Sequence, residues 1–217
     1  MSALVFDTET TDVDAPEIVE AAYIELDDGL SACGHFSQNY KPSKPISLGA
    51  MAVHHIMDED VVDCPPSSSF ALPAGTEYLI GHNIDFDWRA IGEPKVKRIC
   101  TLALARSLWP SADSHTLSAL TYLLDRENAR RRLRNVHNAL ADVQLCHELL
   151  IHISTLLNVQ GIEGLWQASE KARVPTHMPF GKHKGMAIAE VPRDYRDWLL
   201  RQPDVDPYLT KALREAR

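Results

Sequence analysis

Cysteine is scarce in this chain of 217 residues, with only four in the whole sequence. They are scattered, and their spacing does not match the ligand spacing of a metal site. Small secreted domains that depend on disulfides are rich in cysteine, so this pattern favours a reducing compartment. We therefore expect a cytoplasmic protein. The four are Cys33, Cys64, Cys100 and Cys146.

Positive charge and long apolar runs are also lacking. The 22 Lys and Arg residues are outnumbered by 30 Asp and Glu residues, which gives a formal net charge of −8. This sign argues against a protein that coats nucleic acid. A nucleic-acid binder of this composition needs local positive charge and metal ions that neutralise part of the acid excess. No signal-peptide pattern or apolar run able to span a bilayer is recognisable, so we expect no membrane partner.

The sequence does contain the pattern of an α/β protein. Its hydrophobic content of 45% and charged content of 24% are those of an ordinary globular chain. Apolar stretches at residues 4–6, 18–26 and 33–40 predict three neighbouring strands, and strands at 77–81 and 96–100 alternate with helices. This order predicts a mixed sheet flanked by helices, followed by a small, mainly helical C-terminal module.

Two carboxylates end the first predicted strand. Asp7 and Glu9 are separated by one residue, so their side chains point to the same face of the strand. Two adjacent anions repel each other unless a cation lies between them, and carboxylate oxygens suit Mg²⁺ or Mn²⁺. The alternative is a pair of solvated acids at a strand end, and this short pattern alone does not decide between them.

Further acids and a histidine occur where helices begin. Asp87 follows the strand at 77–81, and Asp142 lies near the apolar face of a long helix, where an anion needs a partner. His137 precedes this helix, although a lone histidine is more often a core or surface residue. Four carboxylates from three elements, together with one histidine, fit a two-metal phosphodiester hydrolase, because the anionic phosphate must be screened before a nucleophile approaches.

Two basic segments are candidates for contact with phosphates. One lies before the long helix and contains Arg130, Arg131 and Arg132. The other is a glycine-bounded turn that contains Lys182 and Lys184. Either segment fits a phosphate clamp or a solvated surface.

Three ordered motifs resemble those of the DnaQ-like, or DEDDh, exonuclease family, and they cover about three-quarters of the chain. The turn of residues 180–185 is similar to a segment in the exonuclease X branch of that family. The resemblance implies a ribonuclease-H-like fold and 3′→5′ release of nucleoside 5′-monophosphates. The motifs are Phe6-Asp7-Thr8-Glu9-Thr10, Asn83-Ile84-Asp85-Phe86-Asp87 and His137-Asn138-Ala139-Leu140-Ala141-Asp142.

The same resemblance implies a role for each motif residue. Asp7, Glu9 and Asp142 would hold the more tightly bound of two Mg²⁺ or Mn²⁺ ions. Asp7 would bridge to the second ion, and Asp87 would hold that ion largely through water. His137 would be the general base that deprotonates the attacking water. The residues implied to bind the terminal nucleotide are Thr8, Thr10, His54, His82, Asn83 and Phe86.

We interpret residues 1–160 as the exonuclease domain, 161–174 as a helical linker and 175–217 as the C-terminal module. The leading hypothesis is a metal-dependent exodeoxyribonuclease that acts on DNA 3′ ends, single- or double-stranded, in DNA repair. A proofreading polymerase subunit and an RNA-trimming exoribonuclease share the motifs, and an inactive nucleic-acid-binding module shares the fold. The sequence leaves RNA as a substrate and a homodimer open.

Overall fold

The structure is a computed structural model that describes residues 2–133 and 138–216. Within it the chain falls into two compact units, Met1–Ser169 and Glu170–Arg217. The helix at Gly161–Arg173 occupies the segment interpreted as a linker, and Ile162 and Leu165 in it are buried. The limits 1–160, 161–174 and 175–217 remain predictions.

A mixed sheet of five strands forms the centre of the first unit, in the order β3-β2-β1-β4-β5. β2 is antiparallel to both β1 and β3, whereas β4 is parallel to both β1 and β5. The apolar residues of β1 are buried, which explains why this strand lies in the middle. The mixed sheet predicted from the sequence is therefore confirmed. The strands are β1 (Ser2–Thr10), β2 (Ile18–Leu26), β3 (Ala32–Asn39), β4 (Thr76–Gly81) and β5 (Lys97–Cys100).

Helices follow and cover the sheet, and several begin at a capping side chain. The Ser47 side chain accepts a hydrogen bond from the backbone N–H of Ala50, and Thr116 accepts one from Ala119. The helices of this part of the chain are α1 (Leu48–His54), α2 (Asp85–Ala90), α3 (Thr101–Leu108), α4 (Leu117–Leu124), α5 (Arg126–Arg132), α6 (Ala139–Leu157) and α7 (Gly161–Arg173).

Helix α6 is the long helix predicted from the apolar spacing. By length and composition its 19 residues are sufficient to cross a membrane, contrary to our reading that the chain has no such run. Val143, Leu150 and Ile153 are buried, and the helix packs against β1 and β2. Packing of α6 in the core of the sheet is thus sufficient to explain its apolar composition.

The strand register places acidic side chains on one face of the sheet. Asp7 pairs with Ala22, and Glu9 pairs with Glu20, so Asp7, Glu9 and Glu20 share a face. The opposite face holds Leu4 and Phe6, which belong to an apolar cluster. The sheet is therefore apolar on one side of β1 and acidic at the end of the other.

The second unit has its own apolar core. Two helices, α8 (Arg193–Leu199) and α9 (Pro207–Glu215), supply part of it. Asp206 caps α9 by accepting hydrogen bonds from the backbone N–H groups of Tyr208 and Leu209. The buried residues of this core are Met178, Ile188, Val191, Leu199, Leu209, Ala212 and Leu213.

Candidate metal centre and active site

Three carboxylates converge at the end of β1. Oxygen atoms of Asp7, Glu9 and Asp142 all lie within 4.8 Å of one another. β1 presents the first two on one face because they are two residues apart, and the first turn of α6 adds Asp142 to them. Residues far apart in sequence thus form one acidic group.

Asp87 is held beside this group by β1 itself. Its Oδ1 accepts a hydrogen bond from the Thr8 backbone N–H at 3.0 Å and another from the Thr8 hydroxyl at 2.8 Å. The Asp87 side chain is buried, and it lies in the first turn of α2. Thr8 therefore fixes the start of α2 to the strand that carries Asp7 and Glu9.

Burial raises the pKa values of these acids, and neighbouring negative charges add to the effect. Burial, followed by the negative charges of Asp87 and Glu9, raises the pKa of Asp7 well above its usual range. Burial, Asp142 and Glu20 raise the pKa of Glu9 to about 8. Burial raises the pKa of Asp87 to about 7, although the hydrogen bonds from Thr8 oppose this change. A cation in the group would relieve both the desolvation and the repulsion.

The donor atoms fit a hard divalent cation. Carboxylate oxygens, with no cysteine or histidine among the three grouped residues, are the donor set that Mg²⁺ and Mn²⁺ prefer. The acidic group thus agrees with the prediction that the site binds a divalent metal. The identity and number of the ions remain predictions.

Glu20 is a buried acid that our sequence analysis did not single out. Its carboxylate accepts hydrogen bonds from the Ala139 backbone N–H at 3.1 Å and from Nδ2 of Asn138 at 3.0 Å. Asn138 in turn caps α6 by accepting from the Ala141 N–H. Glu20 therefore holds the beginning of the helix that carries Asp142. The signal that could have revealed it is an acid in the interior of an otherwise apolar strand.

Two residues predicted to contact substrate lie where β1 ends. The Thr10 hydroxyl donates to the backbone carbonyl of Asp12 at 3.1 Å. His54 is buried, with Nε2 3.3 Å from the Thr10 carbonyl oxygen and Nδ1 accepting from the Ile56 N–H. These contacts fix the turn after the acids, and a role of Thr8, Thr10 or His54 in substrate binding remains a prediction.

The remaining predicted substrate residues lie between β4 and α2. Both ring nitrogens of His82 have protein partners, the Thr101 hydroxyl at 3.0 Å and the His115 carbonyl at 2.8 Å. Burial lowers the pKa of His82 to about 4, which makes it a neutral structural link. Asn83 is exposed in a left-handed conformation with φ of 74°, and Phe86 is half-buried. Asn83 and Phe86 are thus the better placed of the three to reach a ligand.

His137, the predicted general base, lies outside the described residues.

The basic residues predicted to contact phosphates are distributed over both units. In α5, Arg132 forms an ion pair with Glu148, whereas Arg130 and Arg131 are exposed. In the second unit, Lys182 and Lys184 are exposed. The charge of Arg132 is already compensated within the protein, so the other four side chains are stronger candidates for phosphate contacts.

Comparison with known proteins identifies the family. The model of a family described as exonuclease matches residues 4–150, which is more than half of the chain and includes all three motifs. The chain belongs to this exonuclease family. It is 32% identical over 222 residues to Exodeoxyribonuclease 10 of Escherichia coli (strain K12), which covers 97% of this chain and 96% of that protein. The resemblance inferred from the motifs is therefore confirmed.

Two further similarities support the assignment of this chain to the exonuclease family. The DNA polymerase III subunit epsilon of the same strain is 27% identical, over 68% of this chain and 69% of that one. A solved structure of Exonuclease X in complex with 5′ overhanging duplex DNA superposes with a TM-score of 0.65 and 31% identity, over 77% of this chain and 99% of that one. The predicted ribonuclease-H-like fold is likewise confirmed.

A separate family model matches the second unit. It is named for a quorum-sensing-regulated virulence factor and matches residues 170–205, which include Lys182, Lys184 and α8. The exonuclease model ends at residue 150. The similarity to Exodeoxyribonuclease 10, over 97% of this chain, nevertheless extends into the second unit.

Proposed function

We propose that this exonuclease is a metal-dependent 3′→5′ exodeoxyribonuclease that releases nucleoside 5′-monophosphates from DNA ends in a DNA repair role. The observation that carries the proposal is the convergence of Asp7, Glu9 and Asp142, with their oxygens within 4.8 Å of one another. The name of the 32% identical Exodeoxyribonuclease 10 supports DNA as the substrate. The acidic centre requires the cations that a phosphodiester hydrolase uses against its anionic substrate.

The acids divide into two groups by their surroundings. Asp7, Glu9 and Asp142 would hold one Mg²⁺ or Mn²⁺, and Asp7 and Asp87 would hold a second. Asp87 already accepts two hydrogen bonds at Oδ1 from Thr8, so it has less capacity for direct ligation. This supports its assignment as the weaker ligand. When bound, such ions screen the phosphate charge and make a bound water easier to deprotonate.

His137 is assigned as the general base that accepts the proton of the attacking water, as the family resemblance implies. His137 directly precedes Asn138, whose side chain is bonded to Glu20. A neutral imidazole accepts a proton near neutral pH without adding another negative charge to the acids. Thr10, Asn83 and Phe86 would position the terminal nucleotide, where an aromatic ring can stack on a base.

A labelled-strand assay tests this function. Single- and double-stranded DNA and RNA, each labelled at the 3′ or the 5′ end, are incubated with the protein and Mg²⁺. We expect the 3′ label to be released first as a mononucleotide, the 5′-labelled strand to shorten stepwise, and EDTA to stop both. Release of the 5′ label first, or hydrolysis that EDTA leaves unchanged, would contradict the proposal.

A proofreading subunit is the second candidate, because subunit epsilon of DNA polymerase III is 27% identical over 68% of this chain. An exonuclease that acts alone should degrade a matched and a mismatched 3′ terminus at similar rates, with no polymerase present. An RNA-trimming enzyme would instead degrade the RNA strands of the same assay faster than the DNA strands. Duplexes with a matched or a mismatched 3′ terminus, added to the assay, therefore separate the three functions. Sedimentation of the purified protein tests for a homodimer.

A further inference from the structure

The second unit carries a row of aromatic rings at its surface. We define the aromatic row as His183, Tyr195 and Trp198. The ring centroids of His183 and Tyr195 are 4.6 Å apart, and those of Tyr195 and Trp198 are 5.4 Å apart. Trp198 is 46% exposed, so a large, accessible aromatic side chain ends the row. Exposed tryptophan is uncommon on surfaces that contact only water, which indicates a ligand.

The turn next to this row is built around a close backbone approach. Gly181 has φ of 76°, and a Cβ atom at this position would lie 2.7 Å from the Tyr195 hydroxyl oxygen. The Lys184 N–H donates to the Gly181 carbonyl, and the Gly185 N–H donates to the Met178 carbonyl at 2.8 Å. The positive φ favours glycine at 181, and the turn brings the backbone that carries Lys182 and Lys184 close to Tyr195.

The net charge of the second unit indicates the charge of its ligand. Ten of the 22 Lys and Arg residues but only seven of the 30 Asp and Glu residues lie in the second unit, which gives it a net charge of +3 in a chain of −8. Lys182 and Lys184 flank His183 and are exposed, whereas the exposed Arg193 forms an ion pair with Asp197 at 3.7 Å. Cations beside open aromatic rings match a ligand with both negative charge and flat apolar rings.

We propose that the aromatic row and the two lysines form a binding site for single-stranded DNA. Bases would stack on Trp198, and phosphates would lie beside Lys182 and Lys184. This inference rests on the proposed function, because DNA is the polymer that the first unit is proposed to degrade. Stacking on an aromatic ring does not depend on base identity, so the site suits an enzyme that must hold any sequence.

Binding of the full-length protein to a fluorescein-labelled oligothymidylate tests the proposal. Anisotropy is measured in EDTA, so that the strand is not hydrolysed, at several salt concentrations. Trp198→Ala should weaken binding roughly 5- to 100-fold at every salt concentration, and Trp198→Phe should restore most of the affinity. The double variant Lys182→Gln/Lys184→Gln should instead reduce the slope of log affinity against log salt by about 1.4, or about 0.7 for each lost phosphate contact.

Matched controls separate this site from general surface effects. Tyr122→Ala removes another exposed aromatic, in α4 of the first unit, and Lys211→Gln removes another exposed lysine of the second unit. Both should bind as the wild type does. An affinity of Trp198→Ala equal to that of the wild type would overturn the proposal and would leave a protein partner as the occupant of the row.

The two proposals fail independently in these experiments. Hydrolysis of the same oligonucleotide in Mg²⁺ tests the function of the first unit, whereas affinity in EDTA tests only the binding site. Wild-type hydrolysis with unchanged affinity of Trp198→Ala would overturn the binding site alone. Lost affinity without hydrolysis by the wild type would overturn the proposed function alone.

Discussion

Among single residues, Glu20 shows how a side chain outside the acidic group can determine its geometry. It accepts from the Ala139 N–H at 3.1 Å and from Asn138 at 3.0 Å, so it sets where α6 begins. Asp142 follows within the first turn of that helix. A displaced helix start would therefore move a proposed metal ligand. Glu20 itself is buried and is bonded to the helix start rather than to a ligand.

Glu20→Ala should lower both the stability and the catalytic rate. The change leaves a buried N–H and a side-chain amide without their acceptor, which costs roughly 1–3 kcal/mol in the free energy of unfolding. We expect kcat to fall more than KM rises, because the ligand is misplaced rather than the substrate surface. Urea unfolding and steady-state kinetics measure the two effects. Glu25→Ala, at an exposed position of the same strand, is the control and should change neither.

Asp7→Ala should abolish cleavage and at the same time stabilise the metal-free protein. The neighbouring charges of Asp87 and Glu9 and burial raise the pKa of Asp7, so its ionised form is unfavourable without a cation. Removing it relieves that repulsion, as is common for residues kept for function. Thermal unfolding in EDTA measures the gain in stability, and the labelled-strand assay measures the loss of cleavage. A variant that cleaves DNA at the wild-type rate would refute its assignment as a ligand.

His137→Ala should reduce turnover by roughly two to four decades, which is the usual contribution of a general base. Metal affinity should stay near that of the wild type, because the acids are the proposed ligands of the ions. Single-turnover rates and Mn²⁺ titration measure these quantities. Cleavage at the native rate would show that another group takes the proton.

The elements differ in how far the sequence could predict them. Strand β2 was predicted at its observed bounds, because its apolar residues are buried along nearly the whole strand. Asp142 was predicted near the start of α6 from helical spacing, which is a local pattern. The role of Glu20 was missed because its hydrogen-bond partner, Ala139, lies 119 residues away in the sequence. Such pairings depend on sheet register and helix packing, which no local pattern records.

His82 links three elements and makes their association dependent on pH. It joins the end of β4 to Thr101 at the start of α3 and to the His115 carbonyl before α4. Its pKa is lowered to about 4 by burial, below the usual 6.5, so the unfolded chain binds the proton more readily. The stability it contributes is thus present above about pH 6.5 and is lost as the pH falls towards 4.

His82→Gln should therefore have a flatter stability profile between pH 6.5 and pH 4 than the wild type. The difference should approach roughly 3 kcal/mol near pH 4, because the pKa falls from 6.5 to about 4 and one pKa unit corresponds to about 1.4 kcal/mol. Denaturant unfolding at several pH values provides the measurement. His35→Gln is the control, since His35 is exposed on β3. Parallel profiles for wild type and His82→Gln would contradict a buried neutral histidine.

The whole molecule combines an acidic catalytic unit with a basic second unit. The second unit has a net charge of +3 in a chain of −8, so the first unit carries −11. A strand of DNA is repelled by the first charge and attracted by the second. Divalent cations thus have two effects in the proposed function: they complete the catalytic centre, and they reduce the charge that opposes substrate entry.

Metal binding should stabilise the protein more at pH 8.5 than at pH 6.5. Without metal, the folded-state pKa values of Asp87, about 7, and Glu9, about 8, lie above their unfolded values, so the stability gained by protonation is lost as the pH rises through them. A divalent cation binds the deprotonated acids and offsets that loss, by roughly 3 kcal/mol at a concentration of 100 times its Kd. The increase in melting temperature on adding Mn²⁺ should therefore grow with pH. Asp7→Ala, which lacks the proposed bridging ligand, should show little increase at either pH. An equal increase for wild type and variant would place the metal elsewhere.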